Sequence, residues 1–269
     1  MDTVGFIGGG NMAEALIKGM IAAKVYPAEN IVVSDVLAER LEYLKKQYAV
    51  RTEADNASVA RVVDILVLSV KPQKMTEALE SIKGQLGPEA LIISIAAGIK
   101  TNNITDVLGQ MPVVRVMPNT PALIGEGASA LYANDLAKPH LRKAERIFAS
   151  VGVAVFVEDE GLIDAVTAVS GSGPAYYFLL MEEMIKAAQQ LELEPDVAKK
   201  LVLQTAKGAA MLAVEADKSN ESPAELRRKV TSPGGTTEAA LKIFEQNKFS
   251  ALVSDALTRA RDRGRELSG

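Results

Sequence analysis

Up to about residue 157, short β-rich runs alternate with stretches of helical apolar spacing, and after Glu158-Asp159-Glu160-Gly161 the β-rich runs stop. The runs are "TVGFIG", "NIVVSD", "DILVLSV", "ALIISIA", "PVVRVM" and "VAVFVE"; between them lie helical patterns such as Met12 to Ile21 and Leu37 to Tyr48. Strands alternating with helices build βαβ units around a mainly parallel sheet. From Gly161 to Gly269 everything reads helical, with breaks at Gly171 to Pro174, Pro195, Ser219 to Pro223 and Pro233 to Gly235. The expected fold is therefore α/β, a doubly wound sheet over residues 1–160 followed by an all-helical domain over residues 161–269.

Within the helical part, "AYYFLLM", Ala175 to Met181, is apolar right round a helix, and "GAAMLAVEA", Gly208 to Ala216, is built of small residues that permit close helix approach. About a hundred residues of helices cannot easily bury such a helix on every side, so a subunit interface is expected to cover it.

Lysine and arginine number 30 against 34 aspartates and glutamates, a net charge of −4, and this lacks the basic surplus that nucleic acid or anionic lipid selects. The N-terminus enters a strand-like run without the basic start and apolar core of a signal peptide. No apolar run approaches the ~20 residues of a membrane span. The expectation is a soluble, cytoplasmic protein. With no cysteine, disulfides, thiolate nucleophiles and cysteine-ligated metals are excluded. The single histidine, His140, follows Pro139 at the first turn of an amphipathic helix and reads as an exposed surface residue. A multi-histidine metal site, or a dehydrogenase with a histidine proton donor, does not fit such a chain.

"GFIGGGNMAEALIKG" fits G-x-G-x-x-A through Gly8, Gly10 and Ala13, after a strand-like run and before a helix. Gly8 permits the tight turn, Gly10 lets backbone approach a pyrophosphate, and Ala13 lets the helix pack close to the strand, as in a Rossmann-type dinucleotide site. Asp35, ending "IVVSD", lies where an acidic residue would hold a ribose hydroxyl and favour NADH. Ser34 and Arg40 nearby would instead accept a 2′-phosphate and favour NADPH. The choice between the two stays open at this level.

Later β-runs lead into "SVKPQKM" (Ser69 to Met75), "SIAAGI" (Ser94 to Ile99) and "RVMPNTPALIGEG" (Arg115 to Gly127), all at expected C-terminal strand ends, where doubly wound sheets hold ligands. Beyond them stand "AVSGSGPAYYF" and "KVTSPGGTTEAALKIF". This ordered set resembles pyrroline-5-carboxylate reductase over essentially the whole chain. The resemblance implies reduction of a cyclic imine, 1-pyrroline-5-carboxylate, to proline with NADPH or NADH. It places Gly8, Gly10, Asn11 and Met12 along the pyrophosphate, Ser34 near the adenine ribose and Asn56 on the adenosine side. Ser69, Val70, Lys71, Pro72, Ala96, Ala97 and Gly98 fall on the nicotinamide half. Glu160, Thr236 and Thr237 match substrate-side positions. It further implies homodimers through interleaved C-terminal helices, in some relatives rings of dimers, with an active site shared between subunits. Lys229 departs from the pattern, since many relatives carry asparagine there.

In "SPGGTT", Pro233 stiffens the entry after Ser232, while Gly234, Gly235 and the helix start at Thr236 present backbone N–H groups suited to a carboxylate. Thr237 is either a catalytic contact to the ring nitrogen or an ordinary helix cap. Lys71 reads as a cofactor contact rather than a general acid. The "SGSGPAY" segment serves close helix packing, compatible with substrate contact. Reducing a ketone requires a proton for the developing alkoxide, whereas a protonated imine becomes a neutral amine, so a chain with one exposed histidine suits the imine. A β-hydroxyacid dehydrogenase would need a lysine and an asparagine after "GSGP", where this chain has Tyr177 and Leu180.

Overall fold

The computed structural model describes residues 2–268. Its strands and helices run β1 (Val4–Ile7), α1 (Asn11–Ala22), β2 (Ile31–Ser34), α2 (Ala38–Tyr48), β3 (Arg51–Glu53), α3 (Asn56–Ala60) and β4 (Ile65–Leu68). There follow α4 (Met75–Ile82), β5 (Leu91–Ser94), α5 (Thr101–Leu108), β6 (Val113–Met117), β7 (Gly127–Ala133), α6 (Leu141–Ala149) and β8 (Gly152–Phe156). The remainder is helical: α7 (Leu162–Val166), α8 (Gly173–Gln190), α9 (Pro195–Asp217), α10 (Pro223–Lys229), α11 (Thr236–Gln246) and α12 (Phe249–Ser268).

The strands form one eight-stranded sheet in the order β3-β2-β1-β4-β5-β6-β7-β8, parallel throughout except for the β6–β7 pair. Side chains alternate between its faces. Phe6, Val33, Val67 and Ile93 join Leu16, Met20, Ile147 and Phe148 in a core on one face. Val32, Leu66, Leu68 and Ile92 join Val59, Leu79, Ile82 and Ile104 on the other. Burial on both faces explains why these strands read as unbroken apolar runs.

Two strands were not expected from the sequence. β3, Arg-Thr-Glu, is a short charged edge strand, and β7, "GASALYA", is built of small residues with little β preference. His140 also differs from expectation. It ends a 3₁₀ turn, Lys138–His140, that runs into α6, and it is half-buried rather than exposed because α6 continues directly from it.

The described residues make two compact units, one of residues up to Pro174 together with those from Thr258 onward, the other Ala175–Leu257. In the second unit, helix starts follow local chemistry. Pro195 opens α9, and Ser222 with Glu225 forms a reciprocal capping box on α10, each side chain bonding the other's backbone N–H. The apolar stretch of α8 is uncovered in the single chain: Tyr177, Phe178 and Leu179 are all more than half exposed. No helix among the described residues is long and apolar enough to cross a membrane.

Candidate active site

The sheet order reverses at β1, since the chain passes to β2 and β3 on one side and then to β4 on the other. The loops leaving β1 and β4 therefore diverge and open a crevice at their carboxyl ends. Gly8 stands at its floor with φ +94°, and a β-carbon there would lie 2.8 Å from the Ser69 carbonyl oxygen, so only glycine fits. The Ser69 hydroxyl donates to the Gly8 carbonyl at 2.6 Å and lies 3.0 Å from that of Ile7, tying the end of β4 to the glycine loop. Ser69→Ala is expected to lower unfolding free energy by about 1 kcal/mol, read as a fall in the urea midpoint at unchanged slope.

Gly10 is the N-cap of α1, with extended geometry and no side chain capping the helix. A β-carbon at Gly10 would meet no atom within 4 Å. Uncapped N–H groups beside open space make a cradle that fits a dinucleotide pyrophosphate. Asn11 is exposed and Met12 half-buried on the first turn, while Ala13 is fully buried against the sheet.

At the end of β2 the Asp35 carboxylate accepts from Gly9 N at 2.6 Å and from Leu37 N at 2.9 Å. Ser34 is buried, its Oγ 2.7 Å from Asn56 Oδ1, and the Asn56 amide in turn donates to Ser81 Oγ at 2.9 Å. Arg40 reaches back from α2, its Nε donating to the Gly9 carbonyl at 2.5 Å and its guanidinium pairing with Glu14. Tyr43 and Tyr48 donate to the other Glu14 oxygen at 2.9 and 2.8 Å. Burial pushes the Glu14 carboxyl up, but the bonds from Arg40, Tyr48 and Tyr43 outweigh it and hold it below the ordinary 4.5. Burial and the bond to Glu14 push the Tyr48 phenol up to about 12. With the folded value depressed, the stabilisation from Glu14 is complete above its ordinary value and is lost as pH falls from there.

After β4, Val70 is half-buried and Lys71 exposed, and half-buried Pro72 opens a 3₁₀ turn. After β5, Ala96 is buried, Ala97 exposed, and Gly98 takes φ +76°. The next strand carries a charge that sequence reasoning passed over. Arg115, 2% exposed in the middle of β6, lies 3.4 Å from Glu160 and 3.5 Å from Asp164. Glu160 also accepts from Thr101 N at 2.7 Å and Thr101 Oγ1 at 3.0 Å, so it caps α5 directly after the "SIAAGI" loop. An arginine inside an apolar strand, followed by an acidic cluster, was the available signal, because a buried charge requires partners.

In the second unit, Gly234 turns with φ +72° and α11 begins at Thr236 behind Gly235, which supplies no side-chain cap. Ser232 and Thr236 are exposed, while Gly235 and Thr237 are half-buried. Contrary to the expected cradle, Gly234 N donates to Glu238 Oε2 at 3.0 Å and Gly235 N to the Ser232 carbonyl at 3.0 Å, because the turn closes on itself; a ligand would meet the first N–H groups of α11 instead. Lys229 pairs with Glu221. Tyr177 and Leu180 lie on α8, and neither can supply a proton donor of lysine type.

The curated pyrroline-5-carboxylate reductase of Pseudomonas aeruginosa is 49% identical over 267 residues, covering 98% of this chain and 96% of its own. This chain belongs to the pyrroline-5-carboxylate reductase family. Residues 160–267 match the family model described as pyrroline-5-carboxylate reductase dimerisation, and residues 3–98 match one described as NADP oxidoreductase, coenzyme F420-dependent. Among solved structures, a pyrroline-5-carboxylate reductase from Coxiella burnetii superposes with a TM-score of 0.94 at 40% identity, covering 100% of this chain and 99% of its own. The Plasmodium falciparum pyrroline carboxylate reductase with NADP bound gives 0.86 at 32% identity, covering 100% and 98%. The family assignment thus spans both the glycine-loop unit and the helices that carry the "SPGGTT" turn.

Proposed function

We propose that this chain reduces 1-pyrroline-5-carboxylate to L-proline by hydride transfer from NAD(P)H, the last step of proline biosynthesis. The observation that carries this reading is full-length similarity to pyrroline-5-carboxylate reductases in a chain whose "SPGGTT" turn opens α11 with no side chain capping it. The bound nicotinamide supplies the hydride. Gly8, Gly10, Asn11 and Met12 hold the pyrophosphate, Ser34, Asp35 and Asn56 the adenosine, and Ser69 to Pro72 with Ala96 to Gly98 the nicotinamide side. Thr236 and Thr237 take the substrate carboxylate at the start of α11, with Ser232, Gly234 and Gly235 shaping the turn. Thr237 holds the ring nitrogen through its hydroxyl, and Glu160 closes the substrate side. Because hydride addition to a protonated imine leaves a neutral amine, these groups need only orient the reactants and exclude water.

On this reading residues 1–160 serve the cofactor and 161–269 serve substrate and dimerisation, a functional boundary that falls ahead of the Pro174 limit of the first compact unit, and dimers assemble into a ring. Cytoplasmic residence belongs to the same reading. Mixing the protein with reduced cofactor and pyrroline-5-carboxylate should consume nicotinamide absorbance at low enzyme, while ketopantoate and tartronate semialdehyde leave it nearly unchanged. Efficient reduction of either ketone, or inertness toward the imine, would overturn the assignment.

A further inference from the structure

Three side chains at the end of β2 and just beyond it are candidates to read the ribose 2′ position, and the structure gives each a different commitment. Ser34 is 1% exposed, with its hydroxyl 2.7 Å from Asn56 Oδ1 and 3.4 Å from the Phe6 carbonyl. Its hydroxyl is taken up by these partners. Arg40, the one cation among residues 34–40, bonds the Gly9 carbonyl, pairs with Glu14 and stacks 5.0 Å over the Tyr43 ring. Its guanidinium is neutralised and held as a brace on the glycine loop. Asp35 remains half-exposed, carrying a carboxylate whose oxygens accept from Gly9 and Leu37. The Leu37 N–H, which a phosphate would otherwise take, is already occupied.

Glu14, Arg40 and Asp35 together sum to one negative charge. A 2′-phosphate placed against them meets repulsion, and Arg40, the cation of this segment, is already paired with Glu14, whereas a 2′-hydroxyl donates to Asp35. We propose that Glu14, by engaging Arg40, makes this chain select a free ribose 2′-hydroxyl, so that NADH rather than NADPH is its preferred reductant. Glu14 acts as a positioning residue, through Arg40, and the selection is made by an unanswered charge against the wrong ligand. This rests on the reading of the Gly8–Gly10 loop as the cofactor site.

The test is calorimetric titration of the full-length protein with ADP-ribose and with its 2′-phosphorylated form, independent of turnover. The unphosphorylated ligand should bind about tenfold tighter or better, as one unpaired like charge at contact range requires. Glu14→Gln releases Arg40 and should shrink that ratio several-fold. Arg40→Gln removes the brace and the positive charge together, so it should weaken the unphosphorylated ligand several-fold and the phosphorylated one by at least as much, where a residue that only read the 2′-phosphate would leave the unphosphorylated ligand untouched. Should Glu14→Gln fail to fold, the wild-type ratio and Arg40→Gln still decide. Equal or tighter binding of the 2′-phosphate by the wild type, a ratio unmoved in a natively melting Glu14→Gln, or unchanged binding of the unphosphorylated ligand in Arg40→Gln overturns the proposal. Binding of neither ligand removes the loop as the cofactor site, and the proposal with it.

Discussion

Gly10→Val is expected to weaken NAD(P)H binding about a thousandfold while leaving the melting temperature almost unchanged. Gly10 sits at φ −64°, ψ −176°, extended geometry that valine adopts readily, and a β-carbon there meets nothing within 4 Å. The fold therefore has no reason to object. A pyrophosphate does, because the valine methyl groups would occupy the space beside the first turn of α1 that it needs. Losing two charge-assisted hydrogen bonds of about 1.5–3 kcal/mol each gives roughly 4 kcal/mol, or about a thousandfold in dissociation constant. Gly8→Ala is the control, since its β-carbon meets the Ser69 carbonyl and its φ is strained, so it should lower stability itself. Nicotinamide fluorescence titration and a thermal melt on the same preparation separate the two. Normal cofactor affinity in a well-folded Gly10→Val would show that the loop does not hold the pyrophosphate.

Thr237→Val should reduce kcat/KM for the imine ten- to a hundredfold with little change in cofactor affinity, equivalent to about 1–3 kcal/mol of transition-state binding. The structure sharpens this expectation. α11 starts at Thr236 with Gly235 as its N-cap, and no side chain caps the helix, so the Thr237 hydroxyl lies inside the first turn and performs no capping. Were it a cap, the substitution would cost about 1 kcal/mol of stability and leave the folded fraction active. Kinetics, cofactor titration and melting on one sample distinguish the outcomes, and a destabilised but fully active variant removes Thr237 from the site.

Much of this was legible in the sequence because the strands are buried on both faces. β1, β2, β4, β5 and β6 announce themselves as apolar β-branched runs, and the helix behind "SPGGTT" begins at the residue its glycines predict. β3 and β7 were missed for opposite reasons. One is a charged edge strand held by its neighbour, and the other is made of small residues that qualify only through the strands beside them. At the site, backbone roles were easier to anticipate than side-chain networks. A glycine pattern states its own geometry, but the link from Glu14 to Arg40, Tyr43 and Tyr48 joins α1 to α2 across 26 to 34 residues. Likewise the contacts of Arg115 with Glu160 and Asp164 form only once the sheet has brought β6 to the start of α7.

The uncovered apolar length of α8 ties the chain's durability to how much of it is present. Where Tyr177, Phe178 and Leu179 are buried by a second copy, folding becomes a bimolecular event and obeys mass action. Each tenfold increase in protein then adds about 1.4 kcal/mol per dimer to the apparent stability. Melting temperature should climb with concentration, and refolding from urea should slow on dilution in proportion to the chance of two chains meeting.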